Sequence, residues 1–458
     1  MLHPQTGSLE VTRSLSNCAR SANFHFGGDT ALVAVQHMLL QTVDLFQTIG
    51  ALGLNLKNVF TLGKLYSNSP PVIQTLRGMG VTVIDSTTPE PGEFRAYFQR
   101  DVETLWRVAG ETLRHRNIRR ILVLDDGGDC ITSVPTAVLQ RYALCGVEQT
   151  SRGMFLFEEQ PPSFAVISWA RAAVKLEIGG PIFSQYFIDQ LQTEFLRGRT
   201  LRGERIGVIG MGSIGRAVAK LAVRQGNELL YFDPNTDLDL SDRFMRVDSV
   251  ADLMMRCDYV FGCSGRNPFQ DMWPLKHRPG IKLVSASSGD EEFGPIIKDL
   301  KQQPHFKVAS NTWDIISEHG PFGPIHIAYL GYPYSFVSRG VEALSTRIVQ
   351  FDTGGLLAAL IQARLWLEQC ESGREQNSGI HRVSPEAQRF VYERWVRAMK
   401  DRMIDFTELL GRDSHQDDWY IENTEPHASD HYRPAKAIEE MMDDLICEGY
   451  FAKARGSG

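Results

Sequence analysis

Cysteine is scarce and unpatterned in this chain: seven residues, at 18, 130, 145, 257, 263, 370 and 447, with no C-x-x-C pair. That spacing argues against a disulfide scaffold or a zinc ribbon and fits reduced thiols, so the expected compartment is the cytoplasm. Long apolar runs are also missing. The longest, "GGLLAALIQARLWL", is broken by Arg364 and is too short to cross a bilayer. The first twenty residues carry no apolar stretch of the signal-peptide kind, and no membrane partner is expected. Positive charge is in deficit, with 48 Lys and Arg against 55 Asp and Glu and a net charge of −7, so no nucleic-acid partner is expected. The one basic cluster, Arg114–Arg120, reads as a solvated helix end. There is neither a fixed-period repeat nor a low-complexity tract.

What is present is the composition of a soluble globular protein large enough for two or three domains. Apolar residues at three- and four-residue spacing from Thr30 to Gly50 predict an amphipathic helix. "NVFTL" and "VTVID" then read as buried strands around a helix "PVIQTLRGM". A long helical pattern from Glu93 to His115 leads into "RRILVLDDGGD". This alternation predicts an α/β domain with a parallel sheet.

The most specific motif is "RIGVIGMGSIGRAVAKLAVRQGNELLYFDPN". Gly210, Gly212 and Gly215 form G-x-G-x-x-G between a strand and a helix, and Asp233 ends the following strand. Gly210 permits the tight turn, Gly212 lets backbone approach a pyrophosphate, and Gly215 lets helix and strand pack closely. Ser213 and Ile214 open the helix, whose free N–H groups favour an anion. Asp233 can accept from a ribose 2′-hydroxyl and would repel a 2′-phosphate, so the expected cofactor is NAD. Strands at 259–263, 282–287 and 306–310 would complete a doubly wound sheet, placing Cys263 and Ser264 toward the cofactor.

"VLDDGGDCITSVP" raises a separate question, because Asp125, Asp126 and Asp129 follow a buried strand directly. Polar groups past the carboxyl end of a parallel strand line the ligand crevice, although Asp and Gly also dominate ordinary turns. Neither His nor Cys is paired with them, and no metal is expected.

Taken in order, "LDDGGD", "GVEQTSRG" at 146–153, "HM" at His37–Met38 and "DHYR" at 430–433 resemble the S-adenosylhomocysteine hydrolase family over most of the chain. The resemblance implies a Rossmann-type NAD-binding domain (186–351) inserted in an α/β substrate domain (1–185 with 352–405). A helical C-terminal tail (406–458) would follow, and the assembly would be a dimer or tetramer. It implies His37, on a first helix, and Asp126 as catalytic groups. Thr150, Ser151 and Tyr432 would join Gly210, Gly212, Ser213, Ile214, Gly215, Asp233, Cys263 and Ser264 around NAD. Asp129 would cap the turn after the strand.

Several positions depart from that family. Gly180, Ser184 and Gln185 stand where it has a catalytic Lys, Asp and Asn, Gln149 replaces a glutamate, and Arg152 replaces a threonine. Its gating His-Pro falls at Ser345–Thr346. Authentic hydrolysis of S-adenosylhomocysteine is therefore not expected. The reading favoured is a repurposed NAD-dependent enzyme that oxidises a hydroxyl of a nucleoside- or sugar-like small molecule, with Gln149, Arg152, Ser184 and Gln185 lining its substrate. Arg152 could pair with a carboxylate or phosphate, and Lys175, Glu177, His319 and His326 are further acid–base candidates. An NAD-bound regulatory or scaffolding protein is the alternative. The segment 200–222 also resembles D-2-hydroxyacid dehydrogenases, whose Arg, Glu and His have no obvious counterparts here.

Overall fold

The structure is a computed structural model and describes residues 9–236, 243–269, 276–303, 305–317, 322–337, 348–371 and 378–400. These fall into two compact units. The described residues within 1–86, 99–179 and 340–458 form the first, and those within 87–98 and 180–339 form the second.

The first unit is built on seven parallel strands: β1 (Thr30–Gln36), β2 (Val59–Gly63), β3 (Thr82–Ile84), β4 (Arg120–Asp125), β5 (Ala143–Glu148), β6 (Ala165–Ser168) and β15 (Gly379–Arg382). Their order is β15-β6-β5-β4-β1-β2-β3. β1 lies at the centre, paired in register with β2 through Leu32–Val59 and with β4 through Leu32–Leu122. All seven of its residues are buried. A strand covered on both faces has no polar side to alternate with, so its pattern cannot be told from that of a buried helix. This corrects the helix expected over Thr30–Gly50: only Leu40–Ala51 is helical, and His37 follows a strand.

Helix Gln350–Glu371 packs into the core of this unit, with Leu356, Leu357, Leu360, Ile361 and Leu367 buried. Arg364 is also buried there, its Nε donating to the Phe26 carbonyl at 2.7 Å. The basic cluster is only partly the solvated helix end expected. Arg120 opens β4, buried, and pairs with Asp29 at 2.8 Å. The terminal strand β15, which the sequence patterning missed, adds to β6.

In the second unit β7 (Arg205–Ile209), β8 (Glu228–Phe232), β9 (Phe244–Arg246), β10 (Tyr259–Gly262), β11 (Ile281–Ser285), β12 (Phe306–Val308), β13 (Ile315–Ser317) and β14 (Ile325–Ile327) run β12-β13-β14-β11-β10-β7-β8-β9. The stretch from β14 to β9 is parallel. This is a Rossmann-type α/β fold, with helices Ser213–Arg224 and Val250–Arg256 joining successive strands. Ile209, Leu230, Val260, Leu283 and Ile327 contribute to its core. The strand expected at 306–310 is present as β12, but it ends an antiparallel arm, β12-β13-β14, instead of extending the parallel order.

Among the described residues no helix is long and apolar enough to cross a membrane. Tyr432, the "DHYR" segment, Ser345–Thr346, His319 and the 406–458 segment lie outside the described residues.

Candidate functional site

In the second unit the G-x-G-x-x-G segment sits where β7 ends and its helix begins. Gly210 has φ +87°, a region that side-chain-bearing residues rarely occupy, and a Cβ there would meet Ser264 Cα at 2.7 Å. A Cβ on Gly215 would lie 1.9 Å from the Gly210 carbonyl oxygen. Gly212 differs, since nothing stands within 4 Å of where its Cβ would be. The turn is thus closely packed behind and open in front of Gly212, and no side chain caps the helix that starts at Ser213. An uncapped helix start beside open space suits a phosphate oxygen. Asp233 follows β8, and its carboxylate accepts from Met211 N–H at 2.6 Å and Asn235 N–H at 2.9 Å. It therefore stiffens the glycine turn while staying part-exposed, with acceptor capacity left for a hydroxyl. These residues fit a dinucleotide.

The loop after β10 backs this turn. Ser264 donates through Oγ to Glu292 Oε1 at 2.7 Å and through its backbone N–H at 2.5 Å. Cys263 is half-buried, its thiol pushed well up by burial and then by the Glu292 charge. Ser184, on helix Gly180–Gln190, donates to the Ile214 carbonyl at 3.2 Å and so braces the first turn of the dinucleotide helix. Gln185 is turned to Asp189 at 2.8 Å.

In the first unit the crossover direction reverses between β1 and β4, and the crevice outside the carboxyl ends of such strands is where open α/β sheets bind ligands. The ends of β1, β2, β4 and β5 bring His37, Lys64, Asp125, Asp126, Glu148 and Gln149 there. Asp126 is buried and ion-paired with Lys64, itself only 3% exposed. It also accepts from the Gln149 amide and faces His37 Nε2 at 3.4 Å. His37 Nδ1 lies 2.6 Å from Ser67 Oγ. Burial would raise the Asp126 carboxyl, but Lys64 and then His37 outweigh it and hold it well below the usual range. Burial would lower the Lys64 ammonium, and Asp126 reverses that to keep it charged.

Asp125 and Glu148 are opposite each other in the β4–β5 register, and both are fully buried. Asp125 accepts from Ile131 N–H at 2.8 Å. Glu148 accepts from Gly127 N–H at 3.2 Å, Thr150 N–H at 2.7 Å and the Thr150 hydroxyl at 2.6 Å. Burial pushes Asp125 up to about 7, and burial with the neighbouring Asp125 charge pushes Glu148 well up too. These two carboxyls hold backbone, and burial with their mutual repulsion favours the protonated form of each.

Asp129 does not cap the turn, as the sequence had suggested; Asp125 does that. Asp129 instead receives Arg152 at 2.6 Å, while the same guanidinium donates to the Gly127 carbonyl. A ligand carboxylate at Arg152 would have to displace Asp129. Thr150 caps helix Ser151–Glu159 by accepting from Gly153 N–H at 3.0 Å, and Ser151 is exposed on its first turn. Lys175 is paired with Asp352 at 2.7 Å, and His326 lies on β14. Lys64, Ser67, Glu148 and Glu292 were missed from the sequence. Lys64 carried a usable signal: it directly follows a buried parallel strand, the same position that singled out Asp126.

Residues 184–268 match the family model of the D-isomer specific 2-hydroxyacid dehydrogenase NAD binding domain. The chain is 29% identical over 278 residues to uncharacterized proteins of two Mycobacterium tuberculosis strains, covering 60% of this chain and 53% of each relative. It thus spans about half the length of these curated relatives. It is 32% identical over 102 residues to a D-lactate dehydrogenase of Curvularia clavata, covering 20% of this chain and 28% of that enzyme. Among solved structures, a 2-hydroxyacid dehydrogenase from Ketogulonicigenium vulgare aligns at 12% identity with a TM-score of 0.32, covering 77% of this chain and 98% of its own. At that score the likeness is too slight to argue from.

These findings overturn the resemblance to the S-adenosylhomocysteine hydrolases, since the matching family model is that of the 2-hydroxyacid dehydrogenases. The physical reason lies in the shared motifs. In "LDDGGD" and "GVEQT", Asp125, Glu148 and Thr150 tie down the backbone of two adjacent strand ends, a structural need that is independent of any one reaction. NAD is the cofactor, and the segment that carries its glycine turn is similar to the NAD-binding domain of the D-isomer specific 2-hydroxyacid dehydrogenases.

Proposed function

We propose that the chain is an NAD-dependent dehydrogenase acting on an uncharged, hydroxylated small molecule of the nucleoside or sugar type. The observation that carries the dehydrogenase reading is the dinucleotide turn, packed behind Gly210 and Gly215, open at Gly212 and followed by Asp233. NAD, when bound, supplies reversible two-electron oxidation of a hydroxyl-bearing carbon. Gly212, Ser213, Ile214 and Gly215 present backbone N–H groups to its pyrophosphate, and Asp233 accepts from its ribose hydroxyls. Cys263 and Ser264 border the same site.

In the first unit, His37 and Asp126 bind a ligand hydroxyl as a pair, the imidazole donating from the Nε2 that faces the carboxylate. Asp126 orients that ring and accepts from a ligand hydroxyl, with Gln149 beside it. The preference for an uncharged substrate rests on the pairing of two cations, buried Lys64 with Asp126 and half-buried Arg152 with Asp129. An incoming carboxylate would have to break a buried ion pair, which commonly costs several kcal/mol.

The test is absorbance at 340 nm of the NAD⁺-loaded protein while nucleosides, polyols and 2-hydroxy acids are added singly. A rise with a neutral hydroxylated compound supports the reading. A rise confined to 2-hydroxy acids would overturn the substrate class and keep the dehydrogenase. A flat trace across the panel would sink the enzyme and leave an NAD-bound regulatory protein.

A further inference from the structure

The cofactor turn does not stand alone: a Cβ on Gly210 would press on Ser264 backbone atoms at 2.7 and 2.8 Å, so any movement of the Cys263–Gly265 loop is felt at the turn. Glu292 holds that loop. It is fully buried, lies 28 residues further along the chain, and takes two hydrogen bonds on Oε1 from Ser264, one from the backbone and one from the hydroxyl. Its other oxygen, Oε2, would lie 2.1 Å from a Cβ at position 262, which is a glycine at the end of β10. Gly265 N–H is held in turn by Ser287 Oγ at 3.1 Å. A buried carboxyl with a glycine cut to admit it, held by Ser264 and then by Ser287 and the Gly265 backbone of the same cofactor-side loop region, is a costly arrangement for packing alone.

We propose that Glu292 is a positioning residue for NAD, its carboxyl clamping Ser264 so that the loop after β10 sets the glycine turn at the distance the dinucleotide needs. The clamp rests on NAD as the cofactor and does not depend on which substrate is oxidised.

The clamp also couples cofactor affinity to pH. Burial pushes Glu292 up to about 7 against the Ser264 hydrogen bonds that pull it down. From the β10 side it faces Cys263, whose thiol stays protonated. The adjoining segment brings Asp290, pushed up to about 6 by burial while accepting from Phe94 N–H at 3.2 Å, and Glu291, paired with Arg95 at 3.7 Å. Losing the Glu292 proton adds an uncompensated negative charge behind a loop that borders an anionic pyrophosphate, so NAD affinity falls as pH rises through about 7.

NAD⁺ binding to the full chain, measured by calorimetry from pH 6 to pH 8, tests this without any substrate. Wild type is expected to weaken at least threefold over that range. Glu292→Gln keeps an acceptor for Ser264 and cannot ionise, so its affinity should match wild type at pH 6 within about threefold and stay flat. Ser264→Ala, at a half-buried site that tolerates the change, should weaken binding severalfold and flatten the slope in part. A wild-type affinity independent of pH, or a Glu292→Gln variant that keeps the wild-type slope, would overturn the proposal. A purely structural Glu292 would lower the melting temperature and leave the slope alone.

Discussion

Lys64 and Asp126 form a buried ion pair between the ends of β2 and β4, 62 residues apart in sequence and both nearly inaccessible to water. The pair places a positive charge and a negative charge at the point where the first unit's crossovers change direction. Because Gln149 and His37 also converge on Asp126, the carboxylate is shared among four strand ends rather than belonging to one turn.

Removing one partner of such a pair leaves a buried charge uncompensated. Lys64→Met is expected to destabilise the protein by about 3–5 kcal/mol, and Lys64→Met combined with Asp126→Leu to cost clearly less. Urea denaturation of the single and double variants decides this. A double-variant loss equal to the sum of the Lys64→Met and Asp126→Leu losses would mean the pair contributes nothing beyond its separate side chains.

Gly215 and Gly212 of the cofactor turn should separate cleanly. Gly215→Ala forces a methyl to 1.9 Å from the Gly210 carbonyl and is expected to lower stability by about 2 kcal/mol or more. Gly212→Ala meets nothing in the protein, so the melting temperature should hold while NAD affinity drops at least tenfold. A Gly212→Ala protein that binds NAD normally would place the pyrophosphate elsewhere.

Asp125 predicts a specific pH dependence. Its folded value of about 7 lies above the ordinary 3.8, so between those limits the native state keeps a proton that the unfolded chain has released. The stability it contributes is complete below about 3.8 and is lost as pH rises through about 7. Asp125→Asn should therefore gain on wild type steadily from pH 4 to pH 8 in thermal melts. Parallel curves for the two proteins would show that the proton is not held there.

Arg152 ties Asp129 to the Gly127 turn. Arg152→Ala is expected to cost about 2 kcal/mol, with Arg152→Lys recovering only part because it cannot make both contacts. If stability is unchanged while binding of acidic compounds collapses, Arg152 is a ligand anchor and the uncharged substrate class is wrong.

The cofactor turn could be read directly because all of its requirements are local. Gly210, Gly212, Gly215 and Asp233 lie within one strand-helix-strand passage, and backbone sterics alone dictate glycine at fixed offsets. β1 could not be read in the same way. "TALVAVQ" is apolar throughout because both its faces are covered, and the following Leu40–Ala51 helix continued the run. The arm β13-β14 was hidden by strands of only three residues. Motif order also misled, because Asp125 and Glu148 serve the backbone of neighbouring strands and so invite comparison with unrelated enzymes that solve the same problem.

By itself the sequence determined the α/β class and the dinucleotide turn with its acidic companion, since each depends on residues close together in the chain. Only tertiary structure decided what surrounds the acidic strand ends. Lys64 meets Asp126, Arg152 meets Asp129, and Glu292 reaches Ser264 because parallel strands bring residues from distant segments to one edge. Which charges are then neutralised, and which protons are held, follows from burial that no single stretch of sequence encodes.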